Sequence, residues 1–159
     1  MVPRLMSQAF SITDMFTIGI GPSSSHTVGP MRAARDFAER SLIRPDVGQI
    51  VCELFGSLAL TGHGHATDIA ILLGLSGFTP EGIAPDDIAS IIAAIRDTDR
   101  LRIAGKTDIS FIESQHVLFR KGEIDQSIDY LTRAYAAFPD PEVAAHLGEV
   151  LWMNGDTEK

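Results

Sequence analysis

The sequence predicts an α/β (α+β) fold: a small mixed sheet with helices, followed by a two-helix tail. Three observations carry this expectation. Short apolar runs bounded by glycine alternate with stretches of helical periodicity. A chain of 159 residues and 17.2 kDa buries roughly 68–70% of its unfolded surface, enough for one domain plus a small appendage. The charge balance steps near the end. Residues 1–121 carry 11 basic and 13 acidic side chains, whereas residues 122–159 carry 2 and 8. We therefore divide the chain into a first domain, 1–121, and a tail, 122–159.

The elements follow in order. After Gly19-Ile20-Gly21-Pro22 and a cluster of serines, Met31, Ala34, Phe37 and Ala38 recur at helical spacing to about Leu42, where Pro45 and Asp46 stop the helix. Gln49–Phe55 is apolar between Gly48 and Gly56 and reads as a buried strand. Gly62-His63-Gly64-His65 reads as a turn, and Thr67 and Asp68 begin an apolar helix over Ile69–Leu75. A loop over Thr79–Asp87 leads to a helix at Ile88–Ile95, and Leu101–Ala104, Ile109–Ile112 and Val117–Phe119 are strand-like. Gly122–Phe138 is amphipathic, with Ile124, Ile128, Leu131, Ala134 and Tyr135 on one face, and Pro139-Asp140-Pro141 ends it. Glu142–Met153 forms the second tail helix. Gly155-Asp156 echoes Gly122-Glu123 at a spacing of 33, close to a tetratricopeptide repeat. Such a pair lacks its stacking neighbours, so self-association through the tail is expected.

Composition excludes several classes. At 45% hydrophobic and 21% charged residues, the chain is not disordered, collagenous or a coiled coil. The longest aliphatic run, Ile69–Leu73, is too short to span a bilayer, and the N-terminus lacks an apolar signal core, so the cytoplasm is the expected compartment. A net charge of −8 argues against non-specific binding to nucleic acid or an anionic membrane. A single cysteine, Cys52, excludes an internal disulfide and an all-cysteine metal site within the chain.

Two segments carry the chemistry. In Gly19–Met31, a glycine turn leads Ser23, Ser24, Ser25, His26 and Thr27 into a helix N-terminus. Free amides and the helix dipole there suit a carboxylate or phosphate, and the hydroxyls add donors. In Phe55–Asp68, a strand runs into a loop bearing His63 and His65 before a helix. Strand carboxyl ends are where open α/β sheets bind ligands, and imidazole titrates nearest neutrality. Asp68 is the candidate carboxylate to orient one ring. On an extended stretch His63 and His65 point the same way, as a base or metal pair requires. By spacing alone, an exposed polar loop accounts for them equally well. Cys52 reads as core.

Together, Gly19–Met31, Phe55–Ala59, Gly62–Asp68 and Gly74-Leu75-Ser76-Gly77-Phe78 closely resemble the N-terminal beta domain of iron–sulfur-dependent L-serine dehydratase, or L-serine ammonia-lyase. The resemblance runs from about Ser11 to Phe119. It implies a lyase of amino-acid catabolism, feeding gluconeogenesis, that converts L-serine to pyruvate and ammonia. A base removes the alpha proton, and a 4Fe–4S cluster acts as Lewis acid on the hydroxyl. It further implies that Ser23, Ser24, Ser25, His26 and Thr27 bind substrate and that His63 or His65 is the base, with His65, beside the helix start, preferred.

The family's cluster cysteines lie in an alpha domain that is absent here, so this chain is expected to ligate no metal and to need a partner alpha chain. The tail resembles the end of a bacterial tetratricopeptide-repeat protein, notably over Phe138–Trp152. A fusion of two fragments at the charge step is expected. The competing expectation is an inactive fragment that binds a small molecule or a protein without turnover.

Overall fold

A computed structural model describes residues 20–43 and 48–155. Gly19, the helix stop at Pro45 and Asp46, and Asp156 lie outside the described residues. The chain forms α1 (Val28–Ser41), β1 (Cys52–Leu54), α2 (Gly56–Thr61), a 3-10 turn (Gly62–His65), α3 (Thr67–Leu75) and α4 (Pro85–Thr98). It continues through β2 (Arg100–Ile103), β3 (Thr107–Ser110), α5 (Glu113–His116), β4 (Val117–Phe119), α6 (Ile124–Ala137) and α7 (Pro141–Met153).

The centre of the core is α3. Its Ala70, Ile71, Leu72, Leu73 and Leu75 are all buried, as befits a helix apolar on every side. Each fully buried leucine contributes about 1.5–3 kcal/mol of transfer free energy. Against it lies α1, which turns Met31, Ala34 and Ala38 inward at helical spacing. The two helices touch backbone to side chain at Gly74. A Cβ there would come within 2.9 Å of the Ala34 Cβ and would overlap the Met31 carbonyl. Ile92 and Ile95 of α4 close another side.

The strands form two two-stranded pieces, one parallel and one antiparallel. β1 pairs parallel with β4, Cys52 opposite Val117 and Leu54 opposite Phe119. β2 and β3 form an antiparallel hairpin, Leu101 opposite Ile109. The expected buried strand over Gln49–Phe55 is corrected. Only Cys52–Leu54 are extended and paired, and Val51 and Glu53 are exposed, because β1 has one partner and an open edge. The segment beyond Phe55 is not a loop, since α2 and the 3-10 turn fill it.

The tail folds as an antiparallel pair, α6 on α7, and it docks on α2. The contact is close at Gly56, whose φ is +57°. A Cβ there would lie 2.7 Å from Ser127 Oγ and 3.3 Å from Val150 Cγ2. Ser127 and Val150 are correspondingly buried, and the Tyr130 ring lies 5.3 Å from that of Phe55. Docking on α2 is what covers Val150. Phe138 and Trp152, at 72% and 70% exposed, remain on the outside.

Candidate functional site

His26 ends the serine run just before α1, and its ring is held by hydroxyls on both nitrogens. Nδ1 lies 3.1 Å from Ser25 Oγ and 3.3 Å from Ser23 Oγ, and the two hydroxyls are 3.1 Å apart. Nε2 lies 3.0 Å from Thr61 Oγ1. Thr61 spends its one proton on the Ser57 carbonyl, at 2.9 Å. A hydroxyl has a single proton to give, so His26 Nε2–H donates to Thr61, and Nδ1, with its one lone pair, accepts from one of the two serines. Burial, foremost, and then the neighbouring His65 lower the pKa of His26, which favours this neutral ring.

His65 faces the same cluster. Its ring centroid lies 4.8 Å from that of His26, and its Nδ1 lies 3.0 Å from the Thr61 carbonyl. A carbonyl only accepts, so Nδ1 carries the proton, and in the neutral ring Nε2 keeps the lone pair. Thr61, which the sequence reading passed over, thus serves both imidazoles: its hydroxyl takes the proton of His26 and its carbonyl that of His65.

His63 goes elsewhere. The expectation that His63 and His65 point the same way is corrected, because Gly62–His65 is a 3-10 helix. At three residues per turn, positions two apart diverge. His63 stacks on Phe119, centroids 3.8 Å apart, with Nδ1 3.7 Å from Asp68 Oδ2. Asp68 therefore stands beside His63 and Arg96. Arg96 is held mainly by a two-point contact with Glu113, at 2.6 and 2.9 Å. The two histidines are thus divided between surroundings. His63 lines a groove of about 730 Å³ with Arg96, Glu113, Phe119 and Arg120.

Of the five residues at the head of α1, the structure joins Ser23, Ser25 and His26. Ser24 is exposed, and its carbonyl accepts the Gly29 N–H. Thr27 is fully buried, and its hydroxyl donates to the Ser23 carbonyl at 2.6 Å. The helix start offers fewer free amides than expected. The N–H groups of Thr27 and Gly29 are engaged with Ser23 and Ser24, and Pro30 has none. Of the Ser23 and Ser25 hydroxyls, the one whose proton Nδ1 does not take is the donor an anion would meet.

Pro30 has a second consequence. In a helix the carbonyl of His26 would accept the N–H of residue 30, and proline leaves that acceptor without its usual donor. The Thr67 hydroxyl, wholly buried at the start of α3, donates to it instead at 2.7 Å. Ala66, left-handed at φ 60°, turns the chain out of the 3-10 helix and aims Thr67 there. One hydrogen bond thereby ties the serine–histidine segment to the segment bearing His65.

A second groove, of about 660 Å³ and mostly apolar, lies between α1, β1, α2 and the tail; Ser25, Phe55, Tyr130, His146 and Val150 line it. His146, on α7, reaches the serine–histidine cluster, its ring edge-on to His26 at 6.5 Å. The sequence reading placed His146 only within the repeat-like tail.

The residues present do not fit an iron–sulfur cluster. Cluster ligation takes several thiolates, the sequence has one cysteine, and burial pushes the Cys52 thiol up to about 11. Among the described residues no three metal-binding side chains converge. No described helix is long and apolar enough to cross a membrane.

Comparison with known proteins bears on the same segments. Residues 11–134 match the family model for the serine dehydratase beta chain, an overlap that ends inside α6. The chain is 44% identical over 113 residues to L-serine dehydratase TdcG of Escherichia coli K12, covering 69% of this chain and 25% of that protein. It is 44% identical over 117 residues to an L-serine dehydratase of Streptomyces coelicolor, with 71% and 26% covered. L-serine dehydratase 2 of Escherichia coli K12 is 46% identical over 114 residues, with 69% and 25% covered. The chain spans about a quarter of the length of these relatives.

Proposed function

The chain belongs to the serine dehydratase beta chain family, and from that premise we propose that its serine–histidine cluster binds L-serine for dehydration to pyruvate and ammonia. One observation carries this reading beyond family membership. His65 commits Nδ1 to the Thr61 carbonyl, which leaves Nε2 as its free ring nitrogen, and its ring stands 4.8 Å from that of His26, whose Nδ1 meets the serine hydroxyls. A general base needs such a nitrogen, held in place through the other side of the ring.

In this reading the substrate carboxylate sits at Ser23 and Ser25, one hydroxyl donating to it while the other donates to the neutral His26. Ser24 and Thr27 frame the segment, Ser24 from the rim and Thr27 from below. His65 Nε2 takes the alpha proton. The electron pair of that C–H bond forms the Cα–Cβ double bond as hydroxide leaves Cβ, and the resulting enamine hydrolyses to pyruvate and ammonia. His63, paired with Asp68, lies outside this step.

Departure of hydroxide needs help that this chain does not supply. The 4Fe–4S cluster that the family resemblance implies belongs on a partner alpha chain, since the cysteine content here does not fit it. The working unit is thus two chains, and its compartment is the cytoplasm. The tetratricopeptide-like reading of residues 122–159 rests on the 33-residue spacing and the helix–turn–helix shape of α6 and α7. Phe138 and Trp152 are the surface by which such a hairpin would meet a second copy.

The deciding experiment is anaerobic purification with and without an alpha chain of a serine dehydratase, assayed for pyruvate from L-serine. Activity that requires both chains is the expected result. Saturable L-serine binding by this chain, with no turnover in any pairing, would favour the inactive binding module instead.

A further inference from the structure

We propose that His146 is a positioning residue for the serine–histidine cluster, so that the α6–α7 hairpin forms a wall of the substrate pocket. The proposal rests on reading that cluster as the L-serine site. Its ground is geometric. The hairpin is seated by Ser127 and Val150 at Gly56 and by Tyr130 at Phe55. That seating brings the His146 ring edge-on to His26 at 6.5 Å, while His65 flanks His26 at 4.8 Å. Both His146 and Ser25 line the groove between hairpin and body.

The consequence follows from like charge and exclusion of water. A ring flanked by two other imidazoles, and covered by a helix, is disfavoured as a cation. A neutral His26 keeps Nδ1 as an acceptor, and that acceptor aligns the Ser23 and Ser25 hydroxyls. Were His26 protonated, Nδ1 would become a donor and the hydroxyls would have to turn. The titratable groups facing His26 are His65 from the 3-10 turn, and His146 and Glu149 from α7. Glu149 acts in the opposite sense; its carboxylate lies 3.7 Å from His146 Nδ1.

The test is a ligand-free NMR titration of the His26 ring in the full chain, with His116 as an internal reference. His116 is buried away from the cluster and accepts the Ile112 N–H. In His146→Gln and His146→Ala the His26 midpoint is expected to move up, toward that of a free imidazole. In Glu149→Gln it is expected to move down. A purely structural role for His146 predicts no such pair of opposite shifts. An unmoved or lowered His26 midpoint in His146→Gln, with His116 unchanged, overturns the proposal. A separate L-serine titration keeps the two readings distinguishable. Absence of any serine-induced change at residues 23–27 of the unaltered chain would refute the substrate site, and the ligand-free titration would still decide the role of His146.

Discussion

The His65 ring lies 4.8 Å from that of His26, although the two residues are far apart in sequence and no hydrogen bond joins their rings. Thr61 holds them together, its hydroxyl on one ring and its carbonyl on the other. The first prediction follows from this arrangement. In the reconstituted two-chain enzyme, His65→Ala should lower kcat by about 10²–10⁴-fold, the usual cost of a lost general base, with a much smaller change in KM. His63→Ala should leave kcat within a few-fold, about what loss of an outlying packing contact costs. Steady-state kinetics on both variants decides the assignment, and the reverse ranking would make His63 the base.

How much of this was legible beforehand depends on the kind of signal. The helices at Val28–Ser41 and Thr67–Leu75 were, because apolar periodicity and turn residues are local. The 3-10 turn was not. Glycines flanking two histidines suit an extended loop as well as a tight helix, and the period error sent His63 and His65 to one face instead of two. Thr61 was invisible for the same reason: its role depends on α2 being helical, which puts its hydroxyl over the Ser57 carbonyl four residues back. His146 was legible as a tail residue only. Its approach to His26 is a tertiary contact set by the glycine at position 56, far from it in sequence.

Stability should fall with acid through His26. Its folded pKa lies below the ordinary imidazole value, foremost because the ring is buried, so the unfolded chain takes up the proton more readily. The contribution of a neutral His26 is fully present above that value and is lost as pH falls through the folded pKa. Urea midpoints should therefore drop between pH 7.5 and about pH 5.5, where most native carboxylates remain ionised. His26→Gln should flatten that slope. An unchanged slope in the variant would show that the acid sensitivity arises elsewhere.

Thr67→Val removes the hydroxyl that replaces the N–H Pro30 lacks. The His26 carbonyl then has no donor in a buried position, a loss of about 1–3 kcal/mol. Thr67→Ser, which keeps the hydroxyl, should cost less. Equilibrium urea unfolding measures both; equal losses would point to packing of the methyl group instead of the hydrogen bond.

At the contact of α1 and α3, Gly74→Ala should destabilise by about 1–3 kcal/mol, the usual cost of overpacking, because the new methyl meets the Met31 carbonyl and the Ala34 Cβ. The control is Gly148→Ala on α7, where a Cβ meets nothing within 4 Å. There the better helix propensity should stabilise by up to about 1 kcal/mol. If both substitutions stabilise, the two helices are not packed through Gly74.

The seam under the hairpin concentrates the last prediction. Gly56 is left-handed at φ +57° and stands directly beneath Ser127 and Val150. Alanine there meets two separate penalties: about 1–2 kcal/mol for a side chain in that conformation, and a clash with the Ser127 hydroxyl. The relief open to the chain is for α6 and α7 to lift. The body has its own core, centred on α1, α3 and α4, that includes no tail residue, and Val150 is buried outside it. Local opening free energies track such differences in buried contact. In native-state hydrogen exchange of Gly56→Ala, the amides of Ile128–Tyr135 should therefore lose protection, while those of Met31–Ala38 and Leu72–Leu75 keep theirs. The His26 midpoint should rise in the same variant, because lifting the hairpin withdraws His146 and admits water. Equal loss of protection in α3 and α6 would mean that hairpin and body unfold as a single unit, and a His26 midpoint that stays put while α6 opens would mean that the hairpin does not govern the cluster.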